Sequence, residues 1–149
     1  MNKKKLRILL DTSFLLPFIG FKTDVEIQEA IACLTRHEIY YSDLSLLEAM
    51  WKIAKIVKKD EDIELIVEGV KLLEKTLKHQ KIDENSIEIA LEMRLKGHED
   101  LVDNMLYSLA LSNNMVFLTM DKNLEEFVKN HGMKNTILDV TRLKQEYCW

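Results

Sequence analysis

The stretch 98–127, HEDLVDNMLYSLALSNNMVFLTMDKNLEEF, decides how this chain folds. Val102, Leu106, Leu109 and Ala110 recur at helical spacing, so a helix starts at about Leu101. Asp100 suits its N-cap, which places Asp103 in the first turn, bordering the apolar face. After a short turn, Val116-Phe117-Leu118-Thr119 is a continuous apolar run suited to a strand buried on both faces. Asp121 follows and leads into a further helix to about Asn130, stopped by His131-Gly132. An ionised carboxylate at the edge of a buried face is costly unless it is paired or bound to metal. A salt bridge or the dipole of the helix N-terminus accounts for Asp103 equally well.

Half of this pattern repeats near the start of the chain. The run Leu6–Leu10 stops at Asp11-Thr12-Ser13, a second buried strand ending in a carboxylate. Phe14–Phe21, with the only proline at Pro17, reads as a loop or helical turn. Asp24 suits the cap of a helix to about His37, and Glu38–Tyr41 is a short strand. Ser42–Ser45 opens a helix through about Lys58 with a stripe at Leu46, Met50, Ile53 and Val57. Within it, Ser45-Leu46-Leu47-Glu48 matches a capping box, which by periodicity leaves Glu48 a surface capping residue. Glu61–His79 is another amphipathic helix, and Asp83 caps one through about Leu95, ended by Gly97. Thr136–Val140 is the last strand, followed by Asp139 as a third strand-end acid candidate and a terminal helix 141–147.

Strands alternating with helices predict an α/β fold with a mainly parallel sheet, and the run of helices between Leu44 and Asn113 predicts a helical subregion beside it. At 149 residues, one domain over 1–149 is expected. The net charge of −4 gives no overall attraction for nucleic acid, so any phosphate-binding surface is a local patch. Cys33 and Cys148 have neither metal-ligand spacing nor a disulfide framework, and a reduced, cytoplasmic setting is expected. No run of about 18 apolar residues is present, so no membrane span is expected.

In open α/β sheets, ligands bind outside the carboxyl ends of the strands, where Asp11 and Asp121 fall. His37, His79, His98 and His131 show no zinc-type spacing and read as surface residues. There is no P-loop and no G-x-G-x-x-G. A phosphoryl-transfer reading with Asp11 as nucleophile lacks the D-x-D pattern, because Ser13 fills its second position.

Taken together, these residues resemble the PIN domain family, particularly its small members that are toxin ribonucleases of toxin–antitoxin pairs. Asp11-Thr12-Ser13 looks like the family's first acidic motif, Glu48 its second and Asp103 its third. Leu118-Thr119-Met120-Asp121 looks like the fourth, with Thr119 in the hydroxyl position. Asn104, Met105 and Leu106 depart from the small residues usual after the third acid. The resemblance implies a three-layer α/β/α sandwich and a metal-dependent endoribonuclease. Asp11, Glu48, Asp103 and Asp121 would gather at one end of the sheet to hold Mg²⁺ or Mn²⁺, supported by Thr12, Ser13 and Thr119. It further implies an RNA substrate, an antitoxin partner and a homodimer. Lys52 and Lys55, four and seven residues after Glu48, are candidate RNA contacts on that helix, although a solvated basic face explains them too. A non-catalytic PIN-like module that binds RNA or protein is the alternative.

Overall fold

A computed structural model describes residues 4–149; the first three residues of the lysine-rich start lie outside them. The strands β1 (Arg7–Leu10), β2 (Glu38–Tyr41), β3 (Lys78–His79), β4 (Val116–Leu118) and β5 (Ile137–Leu138) form one parallel sheet in the order β3-β2-β1-β4-β5. From the central β1 the chain steps outward to β2 and β3, then returns to lay β4 and β5 on the other side. The order reverses between β1 and β4, so the crevice beyond their carboxyl ends is the expected place for a ligand.

Alternate strand residues feed two cores, which makes three layers. Ile8, Leu10, Tyr41, Leu118 and Leu138 face one way, against α1 (Thr12–Ile19), α2 (Val25–Leu34), α3 (Asp43–Ala54), α4 (Asp60–Thr76) and α8 (Val140–Tyr147). Leu9, Tyr40, Phe117 and Ile137 face the other way, against α5 (Glu84–Leu95), α6 (Leu101–Ser112) and α7 (Lys122–Asn130). Burial on both faces is why these strands read as unbroken apolar runs rather than alternating ones. The central sheet sandwiched between helices matches the predicted α/β/α fold.

Several local expectations are corrected. The stretch after Asp11 is a helix, α1, with Pro17 inside it; the turn comes at Gly20, whose φ of 111° suits glycine. Phe14, Leu15 and Ile19 are core residues. The segment expected to be helical to His79 ends at Thr76 and gives way to β3, whose two residues are exposed and carry no apolar signal. His37 is buried: its Nδ1 accepts from Leu6 N–H at 3.0 Å, and its Nε2–H donates to the Tyr147 carbonyl at 2.8 Å. The cysteines are not free thiols. Cys33 on α2 is disulfide-bonded to Cys148 just beyond α8, across 115 positions, a pairing that spacing alone could not reveal.

The helical subregion is fastened at one point of backbone contact. Gly69, in the middle of α4, lies so close to α1 that a Cβ there would stand 2.0 Å from the Ile19 carbonyl oxygen. Gly→Ala in an open helix normally stabilises by up to about 1 kcal/mol. Here the sign reverses: Gly69→Ala is expected to destabilise by about 1–3 kcal/mol through overpacking, read from urea unfolding midpoints.

Candidate functional site

The site is assembled at the carboxyl ends of β1 and β4. The backbone N–H of Asp11 donates to the Leu118 carbonyl at 3.0 Å, extending the β1–β4 ladder by one rung and fixing where its side chain leaves the sheet. One carboxylate oxygen of Asp11 accepts from Thr12 N–H at 2.8 Å, capping α1. The other accepts from Thr119 Oγ1 at 2.6 Å. Thr119 in turn accepts from Asp121 N–H at 3.1 Å, so a single buried hydroxyl joins the first and last acids. Burial raises the Asp11 carboxyl above its usual range; these hydrogen bonds oppose the shift, while Glu48 and Asp121 add to it.

Asp121 is the N-cap of α7, where one oxygen accepts from Asn123 N–H (3.0 Å) and Leu124 N–H (3.1 Å). Asp100 caps α6 through Asp103 N–H at 3.1 Å. That leaves the Asp103 side chain free to meet Asp121, and the two carboxyls share a hydrogen bond. Burial first, then this hydrogen bond and the charges of Asp100, Asp11 and Asp121, push Asp103 up to about 9. Burial also pulls Asp121 upward, but the Asp103 hydrogen bond, the two backbone N–H groups and His98 outweigh it and hold Asp121 below its usual range. Two carboxyls this close disfavour ionising together, which drives their values apart.

Glu48 corrects a sequence expectation. Ser42, not Ser45, caps α3, accepting from Leu44 N–H at 3.1 Å. Ser45 is buried and donates to the Leu10 carbonyl at 3.4 Å. The buried row of α3 is Ser45, Ala49 and Ile53, which rotates Glu48 toward the carboxyl end of β1. There it accepts a short hydrogen bond from Thr12 Oγ1 rather than closing a capping box.

Asp11, Thr12, Ser13, Glu48, Trp51, Lys52, Lys55, Asp100 and Asp103 line one open cleft of about 340 Å³. Asp121 adjoins it through Asp103. Asp100 and Trp51 were not anticipated there; Asp100 reads as a cap and Trp51 as packing, and only the fold turns them to the cleft. Asp139 does not join them, and serves as the N-cap of α8 through Arg142 N–H at 2.7 Å. Asn104, the unusual residue after Asp103, is fully buried and makes a two-point pair with His98: Oδ1 to the ring Nδ1 at 2.6 Å, and Nδ2 to the carbonyl at 2.7 Å. The departure is thus a satisfied polar contact, and it holds the loop before α6.

None of the ion pairs among the described residues involves Asp11, Glu48, Asp103 or Asp121. Among the described residues, no three His, Cys, Asp or Glu side chains stand together as a group that could hold a metal ion. Asp11, Glu48 and Asp103 line one cleft, with the hydroxyls of Thr119 and Thr12 bonded to Asp11 and Glu48. These side chains offer only oxygen, the donor a hard divalent cation prefers.

The profile of the PIN domain family matches residues 8–130, and the chain belongs to that family. Solved structures with the same fold include VapBC2 from Rickettsia felis bound to a fragment of its promoter DNA (16% identity, 90% of this chain and 98% of that one, TM-score 0.65). Another is DNA-bound VapBC from Salmonella typhimurium (22% identity, 91% and 98%, TM-score 0.63). A third is VapBC-5 from Mycobacterium tuberculosis, a member of the VapBC family of toxin–antitoxin systems (12% identity, 90% and 97%, TM-score 0.58). No curated protein matches the chain at a significant level.

The raised Asp103 carboxyl gives a pH signature in the absence of metal. A carboxyl near 4 when unfolded and near 9 when folded stabilises fully below about pH 4, and that contribution falls as pH rises through about 9. The low value of Asp121 acts only in more acidic solution. In chelator, the protein is therefore expected to lose stability between pH 5 and pH 8. Asp103→Asn, which keeps a hydrogen-bond donor for Asp121 but cannot ionise, should flatten that slope in urea melts.

Proposed function

We propose that this chain is a metal-dependent endoribonuclease hydrolysing RNA phosphodiester bonds at the Asp11–Glu48–Asp103–Asp121 cleft. The observation that carries the reading is the convergence of Asp11, Glu48 and Asp103 on one cleft, with Asp121 tied to Asp11 through Thr119 and, among the described residues, no ion pair to any of the four. Clustered carboxylates destabilise the free protein and favour a cation. Members of the PIN family generally use divalent metal ions, in line with the oxygen-only donor set. Asp11, Asp103 and Asp121 would hold Mg²⁺ or Mn²⁺, with Glu48 as a further ligand or as the group that orients the attacking water. When bound, the ion supplies Lewis acidity toward phosphate and water.

The rest is the work of the chain's own side chains. Thr119 and Thr12 fix the oxygens of Asp11 and Glu48, so neither carboxylate turns away from the cleft. Ser13 offers a hydroxyl beside them. Lys52 and Lys55, on the α3 wall, neutralise substrate phosphates next to an otherwise acidic floor.

The reading extends to the toxin half of a toxin–antitoxin pair, because the similar structures include VapBC toxin–antitoxin complexes. A homodimer is part of it, supported by the exposed stripe Ile87, Leu91 and Leu95 along α5. Among the described residues no helix is long and apolar enough to cross a membrane; the reduced, cytoplasmic setting expected from the sequence rested on unpaired cysteines, and the Cys33–Cys148 bridge removes that ground.

Mn²⁺ is expected to raise the melting temperature, chelator to reverse the rise, and Asp103→Asn to remove it. Cleavage of labelled RNA should follow the same pattern. Cleavage that persists in chelator, or in Asp103→Asn, rules the mechanism out. Thr119→Val, which removes the hydroxyl holding Asp11, should weaken metal affinity about 10- to 100-fold while leaving the fold intact, measured by Mn²⁺ titration.

A further inference from the structure

Trp51 is the feature of the cleft that a carboxylate mechanism leaves unused. Large apolar side chains are usually buried, yet Trp51 is 58% exposed, on the same helix as Glu48 and lining the same cleft. The cleft-facing side of α3 carries two rows one helical turn deep: Glu48 followed by Lys52, and Trp51 followed by Lys55. Both lysines are exposed, and neither enters an ion pair among the described residues. An aromatic plane, two unpaired cations and a carboxylate floor thus share one opening.

We propose that Trp51 is a stacking platform for an unpaired nucleobase beside the scissile phosphate; this rests on the nuclease reading above. The indole offers a face that any base can stack on, and Lys52 and Lys55 hold the flanking phosphates. Bases inside a duplex are already stacked and cannot reach it, so the wall selects unpaired strands. Trp51 is a substrate-positioning residue in this scheme, and the carboxylates act on the phosphate it brings in.

The protein carries its own probe. Its only other tryptophan, Trp149, lies edge-on to His37 with ring centroids 5.1 Å apart. His37 sits beside Leu6, just before β1, whereas the cleft lies beyond the other end of that strand. Trp149→Phe therefore leaves Trp51 as the sole indole reporter. In a Trp149→Phe, Asp103→Asn protein, which binds without cutting, a short single-stranded oligoribonucleotide should quench the emission saturably, and the annealed duplex should not. In the otherwise unaltered enzyme, Trp51→Ala should raise KM about tenfold with kcat within about twofold, and Trp51→Phe should restore most of the affinity. Gel-filtration elution should not change.

The proposal is overturned if labelled single strand binds by anisotropy without moving the emission, or if duplex quenches equally. It also fails if Trp51→Ala shifts the elution volume while KM stays put, since Trp51 then packs against another copy. If Mn²⁺-dependent cleavage stands while any of these occurs, only the platform is lost. If the unaltered protein neither binds nor cuts RNA, the nuclease reading goes with it.

Discussion

Mutual repulsion among carboxylates at the ends of β1 and β4 is the constraint to which the surrounding structure is fitted. Asp11 and Asp121 come from positions 110 residues apart, yet the β1–β4 pairing sets them next to each other. Charges that close disfavour one another's ionisation in a half-buried setting, and the molecule answers with several donated hydrogen bonds. Thr119 links Asp11 and Asp121, Thr12 links Asp11 and Glu48, and the N-termini of α1 and α7 contribute backbone N–H groups. These donors are neutral, and among the described residues no ion pair engages the four acids.

The same economy explains the helix caps. Asp100, Asp121 and Asp11 each satisfy a helix N-terminus, a common use for aspartate. Because Asp100 takes the cap of α6, Asp103 one turn later is released to face Asp121. Asp139 shows the contrast: it has the same strand-end position and the same cap geometry, but its strand β5 is at the sheet edge, away from the cleft. Being a cap does not bring an acid to the cleft; standing at the point where strand order reverses does.

The two faces of the cleft differ in kind. One is acidic and rigid, pinned to strand ends and buried hydroxyls. The other is a single solvent-facing helix wall of indole and lysines on α3, set by which row of that helix is buried. Ser45 and Ala49 in the buried row are small where α3 faces α1 and the sheet end, and Glu48 reaches the Thr12 hydroxyl. A bulkier residue at Ala49, which is fully buried, would push both Glu48 and Trp51 away from the strand ends.

What sequence alone determined here is what depends on short-range periodicity. The buried strands at Ile8–Leu10 and Val116–Leu118 and the caps at Asp83, Asp100 and Asp121 were legible, because apolar runs and cap residues act over a few positions; the set Asp11, Glu48, Asp103, Asp121 came from the family resemblance. The strand β3 was not, since two exposed residues on a sheet edge owe their pairing to β2 and not to their own chemistry. Glu48 looked like a capping residue because helical phase cannot say which of two stripes a neighbouring sheet will cover. The Cys33–Cys148 bridge, the Thr119 link, the nearness of Asp103 to Asp121, and the placing of Trp51 were decided by tertiary structure alone. Each joins atoms distant along the chain, and such contacts exist only once the core has chosen which faces meet.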